Sequence, residues 1–187
     1  MPKTHKSLKG QLLLDGGKLH GSYFHRSVVL ICEHNAEGAF GLVLNRPSDN
    51  QLGDVITENL PELLRARRLY GGGPVQPAAM SFLHADNYLP DHNVLENLVV
   101  GHDLARLIEI GASWSPTQQL RVFAGYAGWA AGQLDDEMRR NSWLPYPASI
   151  GLIFMDPAER IWQQILRSRT DWRERLLGDS PEDLTSN

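Results

Sequence analysis

The chain of 187 residues suits a single domain, because domains commonly run to about 100–200 residues. Its charged fraction of 21% and hydrophobic fraction of 42% are those of an ordinary globular protein, which excludes fibrous and wholly disordered classes. The formal net charge of −4 argues against a general attraction to nucleic acid, and the single cysteine excludes an intramolecular disulfide.

The apolar segments are too short for a membrane span or a secretory signal. The run at residues 28–32 falls far short of the ~18 residues that a bilayer requires. We therefore expect a cytoplasmic protein that does not enter a membrane. One domain is predicted over residues 1–177, and the polar composition of residues 178–187 predicts a disordered tail.

The clearest local pattern is a pair of apolar runs on either side of a polar segment. Residues 28–32 are apolar at every position, which is typical of a strand covered on both faces, and a second apolar run spans residues 39–44. The segment between them contains Asn35 and Gly38, which favour turns. We predict a β-hairpin with a loop longer than two residues.

The rest of the chain mixes strand and helix patterns without strict alternation. Further strands are predicted at residues 68–70, 80–84, 95–100, 120–124 and 150–155, and helices within 52–68 and near 104–111, 131–138, 157–166 and 171–177. Asn59 and Asp156 are the predicted N-caps of two of these helices. This mixture favours an α+β fold over a doubly wound parallel sheet.

Three blocks of the sequence resemble the signature of the YqgE/AlgH family. The first contains Phe24-His25-Arg26-Ser27, Glu33-His34-Asn35 and Asn45-Arg46-Pro47, the second Gly72-Gly73-Pro74-Val75 with Leu83-His84, and the third Gly125-Tyr126-Ala127-Gly128-Trp129 with Gln133, Glu137, Asn141 and Trp143. The blocks follow the order and spacing of that family. Together they cover the chain from about residue 12 to residue 166.

The resemblance implies a single α+β domain in which a bent, partly barrel-like mixed β-sheet is surrounded by helices. It also brings the family's label of transcriptional regulator. It supplies no catalytic residues, and neither a cofactor nor a metal is expected. The sequence shows no helix-turn-helix or basic region, so direct binding to nucleic acid is not expected, whereas regulation through a protein partner stays open.

Phosphate-loop, nucleophile-elbow and metalloprotease motifs are absent from the sequence, so candidate sites depend on local groupings. The strongest grouping is residues 125–141, where a glycine-rich turn predicted at 125–129 precedes a helix start, whose first N–H groups can hold an anion. Asp135 and Asp136 would repel such an anion. Close backbone packing is therefore the interpretation we favour for these glycines.

Other groupings carry weaker signals. Cys32 and His34 are two residues apart and predicted to share a sheet face, as an activated nucleophile would require, but inert packing of the cysteine is favoured. Glu33, His34 and His84 have no diagnostic metal-ligand spacing. Three arginines, Arg65, Arg67 and Arg68, are interpreted as a solvated helix face in preference to a phosphate contact.

We predict a regulatory or binding protein with a pocket for a small molecule or a protein partner, formed by the hairpin, the turn at 72–75 and the segment 126–141. The alternative is a small-molecule enzyme, such as a hydrolase, using Glu33, His34 or Glu137 in acid–base roles. A DNA-binding regulator is the third hypothesis. The predicted binding residues are Glu33, His34, Asn45, Arg46, Gly72, Gly73, Pro74, His84, Tyr126, Trp129, Gln133, Glu137 and Asn141.

Overall fold

The computed structural model describes residues 6–181, and residues 1–5 and 182–187 lie outside the described part of the chain. The strands are β1 (Gln11–Asp15), β2 (Val28–Asn35), β3 (Gly38–Val43), β4 (Pro47–Gln51), β5 (Arg68–Gly71), β6 (Val75–Ala85), β7 (Leu98–Gly101), β8 (Gln119–Ala130) and β9 (Trp143–Pro147). The α-helices are α1 (Leu52–Val55), α2 (Glu62–Arg65), α3 (Leu104–Ala112), α4 (Gln133–Arg139), α5 (Ile150–Ile153), α6 (Ile161–Ser168) and α7 (Trp172–Asp179).

The strands form one mixed sheet in the order β4-β5-β8-β3-β2-β1-β9, and β6 pairs with both β7 and β8. The β5–β8 pair is parallel, whereas the hairpin and its neighbours are antiparallel. β8 changes partners along its length, since residues 119–126 pair with β6 and residues 127–130 pair with β3. The change occurs beside Gly125, which has a φ of +72°. The α+β prediction is confirmed, and the sheet stays open over residues 6–181.

Helices cover both faces of this sheet, which explains the continuous apolar run in β2. Val28 and Leu30 point into a core that includes α6, whereas Val29 and Ile31 point into a second core that includes α4. A third core joins β5, β6 and β8 to α1, α2 and α3. No helix within residues 6–181 is long and apolar enough to cross a bilayer.

The hairpin loop is shorter than predicted. β2 ends at Asn35 and β3 begins at Gly38, so the loop consists of two residues, and the prediction of a longer loop was wrong. The Asn35 side chain accepts a hydrogen bond from the Glu37 N–H at 2.8 Å. The polar residues before the loop stay in the strand because pairing with β3 satisfies their backbone groups.

Two other predicted elements were wrong for identifiable reasons. Residues 150–153 form α5 and not a strand, because the Ser149 side chain accepts from the Leu152 N–H and starts a helix. A short apolar run does not by itself distinguish a strand from a buried helix. Asp156 does not cap a helix, since its Oδ1 lies 3.4 Å from Nη2 of Arg121. A 3₁₀ turn, Ala158–Arg160, leads into α6 instead.

Helix boundaries also differ from the predictions. α2 follows Pro61, which occupies the N-cap position predicted for Asn59. α7 extends through Asp179, so the first two residues of the predicted tail are helical. Gly178 is buried there, and a Cβ at this position would lie 3.0 Å from the Cβ of Leu166 in α6. The final predicted tail residues, 182–187, lie outside the described residues.

Candidate functional site

The structure distributes the predicted site residues among separate places and does not gather them in one pocket. Asn45 and Arg46 line one cleft. His84 lines a second, with Asp91 and Arg106 at its edge. Glu33 and Trp129 line a shallow depression at the end of the hairpin, together with Phe40. The remaining predicted residues lie in packing contacts and hydrogen bonds around these places.

The glycines of the second and third blocks allow two backbones to approach closely. Gly73 has a φ of +154°, and a Cβ there would lie 2.1 Å from the carbonyl carbon of Tyr126. A Cβ on Gly72 would lie 2.3 Å from the oxygen of Gly125. The exposed Pro74 then leads into β6, whose first residue, Val75, pairs with Tyr126. This segment packs directly on β8, so the predicted glycine-rich turn at 125–129 is part of a strand.

Glu137 fastens α4 to the sheet. Its Oε2 accepts hydrogen bonds from the indole Nε1 of Trp129 at 2.9 Å and of Trp143 at 2.8 Å. Its Oε1 accepts from the Gln133 side-chain amide at 3.0 Å, as expected for residues four apart on one helix face. The spacing of four residues predicts that Asn141 shares this face, but Asn141 lies beyond the end of α4 with a φ of +53°, so this prediction was wrong.

A β-bulge separates Cys32 from His34. The register between β2 and β3 shifts between Ile31 and Glu33, so one extra residue enters β2. Cys32 belongs to the core that includes α6, whereas the His34 Nδ1 accepts from the Leu8 N–H at 3.0 Å on the opposite face. The prediction that the two side chains share a face was therefore wrong, and the Cys–His pair is not formed.

We expect the Cys32 thiol to be unreactive toward disulfide reagents in the folded protein. The side chain is fully buried, and burial raises its pKa, so the nucleophilic thiolate is scarce. Colorimetric thiol titration at mildly alkaline pH should detect the cysteine only after denaturant is added. Rapid stoichiometric labelling of the native protein would contradict the buried position.

The histidines of the metal hypothesis also have separate surroundings. Within residues 6–181 no group of three or more His, Cys, Asp or Glu side chains is placed to hold a metal ion. His84 is 4% exposed, and its Nε2 makes no hydrogen bond with any described residue. Burial lowers the pKa of His84, which keeps the ring neutral at pH 7.

The cleft that Asn45 and Arg46 line, here named the Arg46 cleft, has a volume of about 400 Å³. It lies between the loop that precedes β2, the junction of β3 and β4, and α6. The residues that line it are His25, Arg26, Asn45, Arg46, Pro47, Glu159, Trp162 and Gln163. The two polar ends of the first sequence block therefore meet in space, although they are separated by β2 and β3.

Asp15 holds the loop of this cleft in place. The carboxylate is fully buried and accepts hydrogen bonds from the N–H groups of Gly17 at 2.8 Å, Leu19 at 3.2 Å and Arg26 at 2.8 Å. The Asp15 backbone carbonyl accepts from the indole of Trp162 at 3.0 Å, which fixes α6 beside the loop. Sequence analysis missed Asp15, although an acidic residue at the end of an apolar run and before two glycines is a usable signal.

Asn45 joins the two polar segments of the cleft. Its Oδ1 accepts from the Val28 N–H at 2.9 Å, and its Nδ2 donates to the Arg26 carbonyl at 2.8 Å. The side chain is only 3% exposed, so it serves mainly to position the loop. Asn45 was predicted to contact a ligand directly, but its side chain positions the backbone of Arg26 instead. Arg26 was not among the predicted binding residues.

Arg26 and Arg46 give the cleft its positive charge. Arg46 is half-buried and donates to the carbonyls of Asn45 and His25, while burial lowers its pKa. Arg26 lies 5.0 Å from the ring centroid of Trp162 and donates to the carbonyl of Ser180 at 2.6 Å. Neither guanidinium forms an ion pair with a carboxylate in the described range, 6–181.

His25 contributes a neutral ring to the edge of the cleft. Its buried Nδ1 lies 3.6 Å from Oδ2 of Asp15 and makes no hydrogen bond with the described residues. Burial lowers the pKa of His25, and this outweighs the opposing effect of the Asp15 carboxylate. The positive charge of the cleft at pH 7 therefore comes from the two arginines.

Comparison with known sequences agrees with the resemblance. The family model described as AlgH-like matches residues 12–171. A UPF0301 protein of Chlorobaculum parvum is 38% identical over 181 residues, which cover 92% of each chain. A UPF0301 protein of Chlamydia felis is 35% identical over 181 residues, which cover 96% of this chain and 95% of the relative.

Solved structures show the same fold. The solution structure of the AlgH protein from Pseudomonas aeruginosa aligns with a TM-score of 0.73 at 28% identity, covering 98% of this chain and 99% of that chain. The crystal structure of a protein from Corynebacterium diphtheriae aligns with a TM-score of 0.76 at 26% identity, covering 94% of each. The sequence blocks, the family match and the shared fold lead to one conclusion: this chain belongs to the AlgH-like family.

Proposed function

We propose that this protein is a binding protein whose Arg46 cleft holds a small ligand with an acidic group, such as a carboxylate or phosphate. The observation that carries the proposal is a cleft lined by Arg26 and Arg46, neither of which has a carboxylate partner within residues 6–181. A guanidinium has five N–H donors, more than the two hydrogen bonds of Arg46 to the Asn45 and His25 carbonyls use, and it binds planar acidic groups through two parallel hydrogen bonds.

The size and rigidity of the cleft support this use. Its volume of about 400 Å³ lies in the range of small-molecule sites. The loop is held by the buried carboxylate of Asp15 and by Asn45, so little ordering entropy remains to be lost on binding. Partial burial also strengthens the attraction between Arg46 and an anion, because the local dielectric is lower than in water.

The opposite side of the cleft suggests what the rest of the ligand carries. Glu159 is the acidic residue in the lining, and Gln163 supplies an amide. A ligand that combines an acidic group with an amine or hydroxyl would satisfy both ends. Ligand binding would also alter the contact of Arg26 with Ser180, and we include regulation of a protein partner through this change in the proposal.

The alternative functions have less support from the structure. Glu137 accepts three hydrogen bonds from protein side chains, and His34 is buried with its Nδ1 bonded to a backbone N–H. Glu33 is exposed in the separate depression near the hairpin end. The acid–base roles proposed for these residues therefore have no common cavity, and the ligand-binding function is the one we favour.

Replacing Arg46 by glutamine should weaken binding of small acids by about tenfold or more, since charged hydrogen bonds of this kind contribute about 1.5–3 kcal/mol. Succinate, with glycine as a zwitterionic probe, would be titrated into the ¹⁵N-labelled protein. We expect shifts at the Trp162 indole and at the Arg26 amide.

The matched control is Arg65→Gln, which removes an exposed arginine at the end of α2 and leaves the cleft intact. It should bind both probes with the affinity of the parent protein. If Arg46→Gln folds normally and binds as well as Arg65→Gln, the Arg46 cleft is not the site.

A further inference from the structure

A separate cleft lies between β5, the segment that follows α3 and the start of β8. Its volume is about 420 Å³, and it shares no lining residue with the Arg46 cleft. Arg67, Arg68 and Arg121 line it, together with Trp114 and a single acidic residue, Asp156. We name it the Arg67 cleft. Three arginines against one aspartate give it a positive local charge, although the whole chain has a net charge of −4.

Arg67 is the group that distinguishes this cleft from an ordinary surface depression. It is half-buried, and its guanidinium carbon lies 4.5 Å from the ring centroid of Trp114. Burial lowers its pKa, because the charged form loses contact with water. The guanidinium makes no hydrogen bond or ion pair with the residues that the structure describes. Its N–H donors are therefore available in a fixed, stacked orientation.

Arg121 forms a rigid cationic floor. The side chain is 4% exposed, and its Nη1 donates to the Ile153 carbonyl at 2.9 Å while its Nη2 donates to the Met155 carbonyl at 3.1 Å. The guanidinium also stacks over Tyr70, 4.4 Å from the ring centroid. These carbonyls hold the group without cancelling its formal charge, so the floor attracts anions that enter the cleft.

The acidic side chain of the cleft pairs with Arg121 from the rim and leaves Arg67 and Arg68 without a carboxylate partner among the described residues. Asp156 lies 3.4 Å from Nη2 of Arg121, but its side chain is 77% exposed at the rim. Arg68 follows Arg67 in the sequence. It is exposed and adds a second positive charge to the lining of the cleft. The solvated-face interpretation thus fits Arg65, whereas Arg68 lines the cleft and Arg67 turns inward onto Trp114.

We propose that the Arg67 cleft binds a phosphorylated small molecule, with the phosphate held by Arg67 and Arg68 in the positive field of Arg121. A phosphate dianion matches an excess of two positive charges, three arginines less one aspartate, better than a single carboxylate does. The volume exceeds that of inorganic phosphate, and the amides of Gln118 and Gln119 in the lining provide donors and acceptors for the attached group. This site is independent of the function proposed for the Arg46 cleft.

The test uses the full chain with ribose 5-phosphate, inorganic phosphate and unphosphorylated ribose as probes. Binding is followed by the ¹⁵N–¹H signal of the Trp114 indole, assigned through a Trp114→Phe variant. We expect ribose 5-phosphate to shift this signal at lower concentration than inorganic phosphate, and ribose to leave it unchanged. Equal affinity for the two phosphates would overturn the small-molecule part of the proposal, and a response to ribose alone would overturn the phosphate part.

Variants then locate the site. Arg67→Gln and Arg68→Gln should each weaken ribose 5-phosphate binding, the first by at least about tenfold because Arg67 is more buried. Arg67→Lys should give an intermediate affinity, since it keeps the charge and loses the planar fork. Arg65→Gln, which removes the same charge two residues away, should bind like the parent chain.

Three results would overturn the assignment. These are undiminished binding in both Arg67→Gln and Arg68→Gln, loss of binding in Arg46→Gln alone, and no response of the parent chain to either phosphate at millimolar concentration. The second result would place the phosphate in the Arg46 cleft and thereby separate failure of this site from failure of the other. Because the Arg67 guanidinium makes no hydrogen bond with residues 6–181, we expect its glutamine variant to fold.

Discussion

Gly73→Ala should lower the free energy of unfolding by at least about 4 kcal/mol, the range reserved for severe backbone or packing conflicts. The new Cβ would lie 2.1 Å from both the carbonyl carbon and the oxygen of Tyr126, and these are backbone atoms of a central strand. The φ of +154° also disfavours any side chain at this position. Relief would require β8 to move away from the 72–75 segment, which would break its pairing with β6.

Thermal unfolding followed by circular dichroism measures this effect. A loss of that size lowers Tm by about 8–16 °C for a domain of this length, and the variant is expected to accumulate poorly as folded protein. Gly151→Ala is the matched control, because a Cβ at Gly151 would meet no atom within 4 Å and the residue lies in α5. The control should be neutral or slightly stabilising. Equal Tm values for the two variants would show that the segment does not approach β8 this closely.

Asp15→Ala should destabilise the protein by about 3 kcal/mol, because it leaves three backbone N–H donors without their acceptor. Those donors belong to Gly17, Leu19 and Arg26, and the lost carboxylate is fully buried. Asp15→Asn should be less severe. Its amide oxygen can replace Oδ1 as acceptor for two of the donors, whereas its NH₂ group would face the Arg26 N–H.

Urea unfolding gives the stability, and the binding titration of the Arg46 cleft gives the functional consequence. Because the loop that carries Arg26 would lose its anchor, the Asp15 variants should bind small acids more weakly even where they remain folded. Asp49→Ala, which removes an exposed carboxylate from β4, should change neither quantity. An Asp15→Ala protein as stable as Asp49→Ala would mean that the loop does not depend on the carboxylate.

These two residues differ in how visible they are before the structure is known. The glycines at 72–73 stand out in the sequence, and close backbone approach is one of the interpretations that glycine runs suggest. The residues next to Asp15 in the sequence do not indicate which groups it binds. The indole of Trp162, which binds the Asp15 carbonyl, is 147 residues away in sequence. Its role follows only from the meeting of β1, the following loop and α6.

The residues of the candidate sites also differ in whether the sequence alone indicates their roles. Arg46 is recognisable within the first sequence block, and its position at the end of a buried strand indicates a site. Arg67 is hidden among three arginines near a helix end, and only its contact with Trp114 separates it from Arg65. Glu137 has the residue type expected of a catalytic acid, but its carboxylate accepts hydrogen bonds from the indoles of Trp129 and Trp143.

Local patterns in this chain were sufficient for the fold class, for β2 and β3, and for the presence of α4 and α6. Alternation and helical periodicity depend on neighbours within a few residues, so they survive without knowledge of the tertiary fold. The bulge at Cys32 shows where that information ends. One extra residue reverses the faces that follow it, and only the pairing of β2 with β3 reveals the extra residue. The clefts depend in the same way on contacts between distant segments, such as Arg26 with Ser180, 154 residues apart. Their composition is therefore decided by packing, which no local pattern encodes.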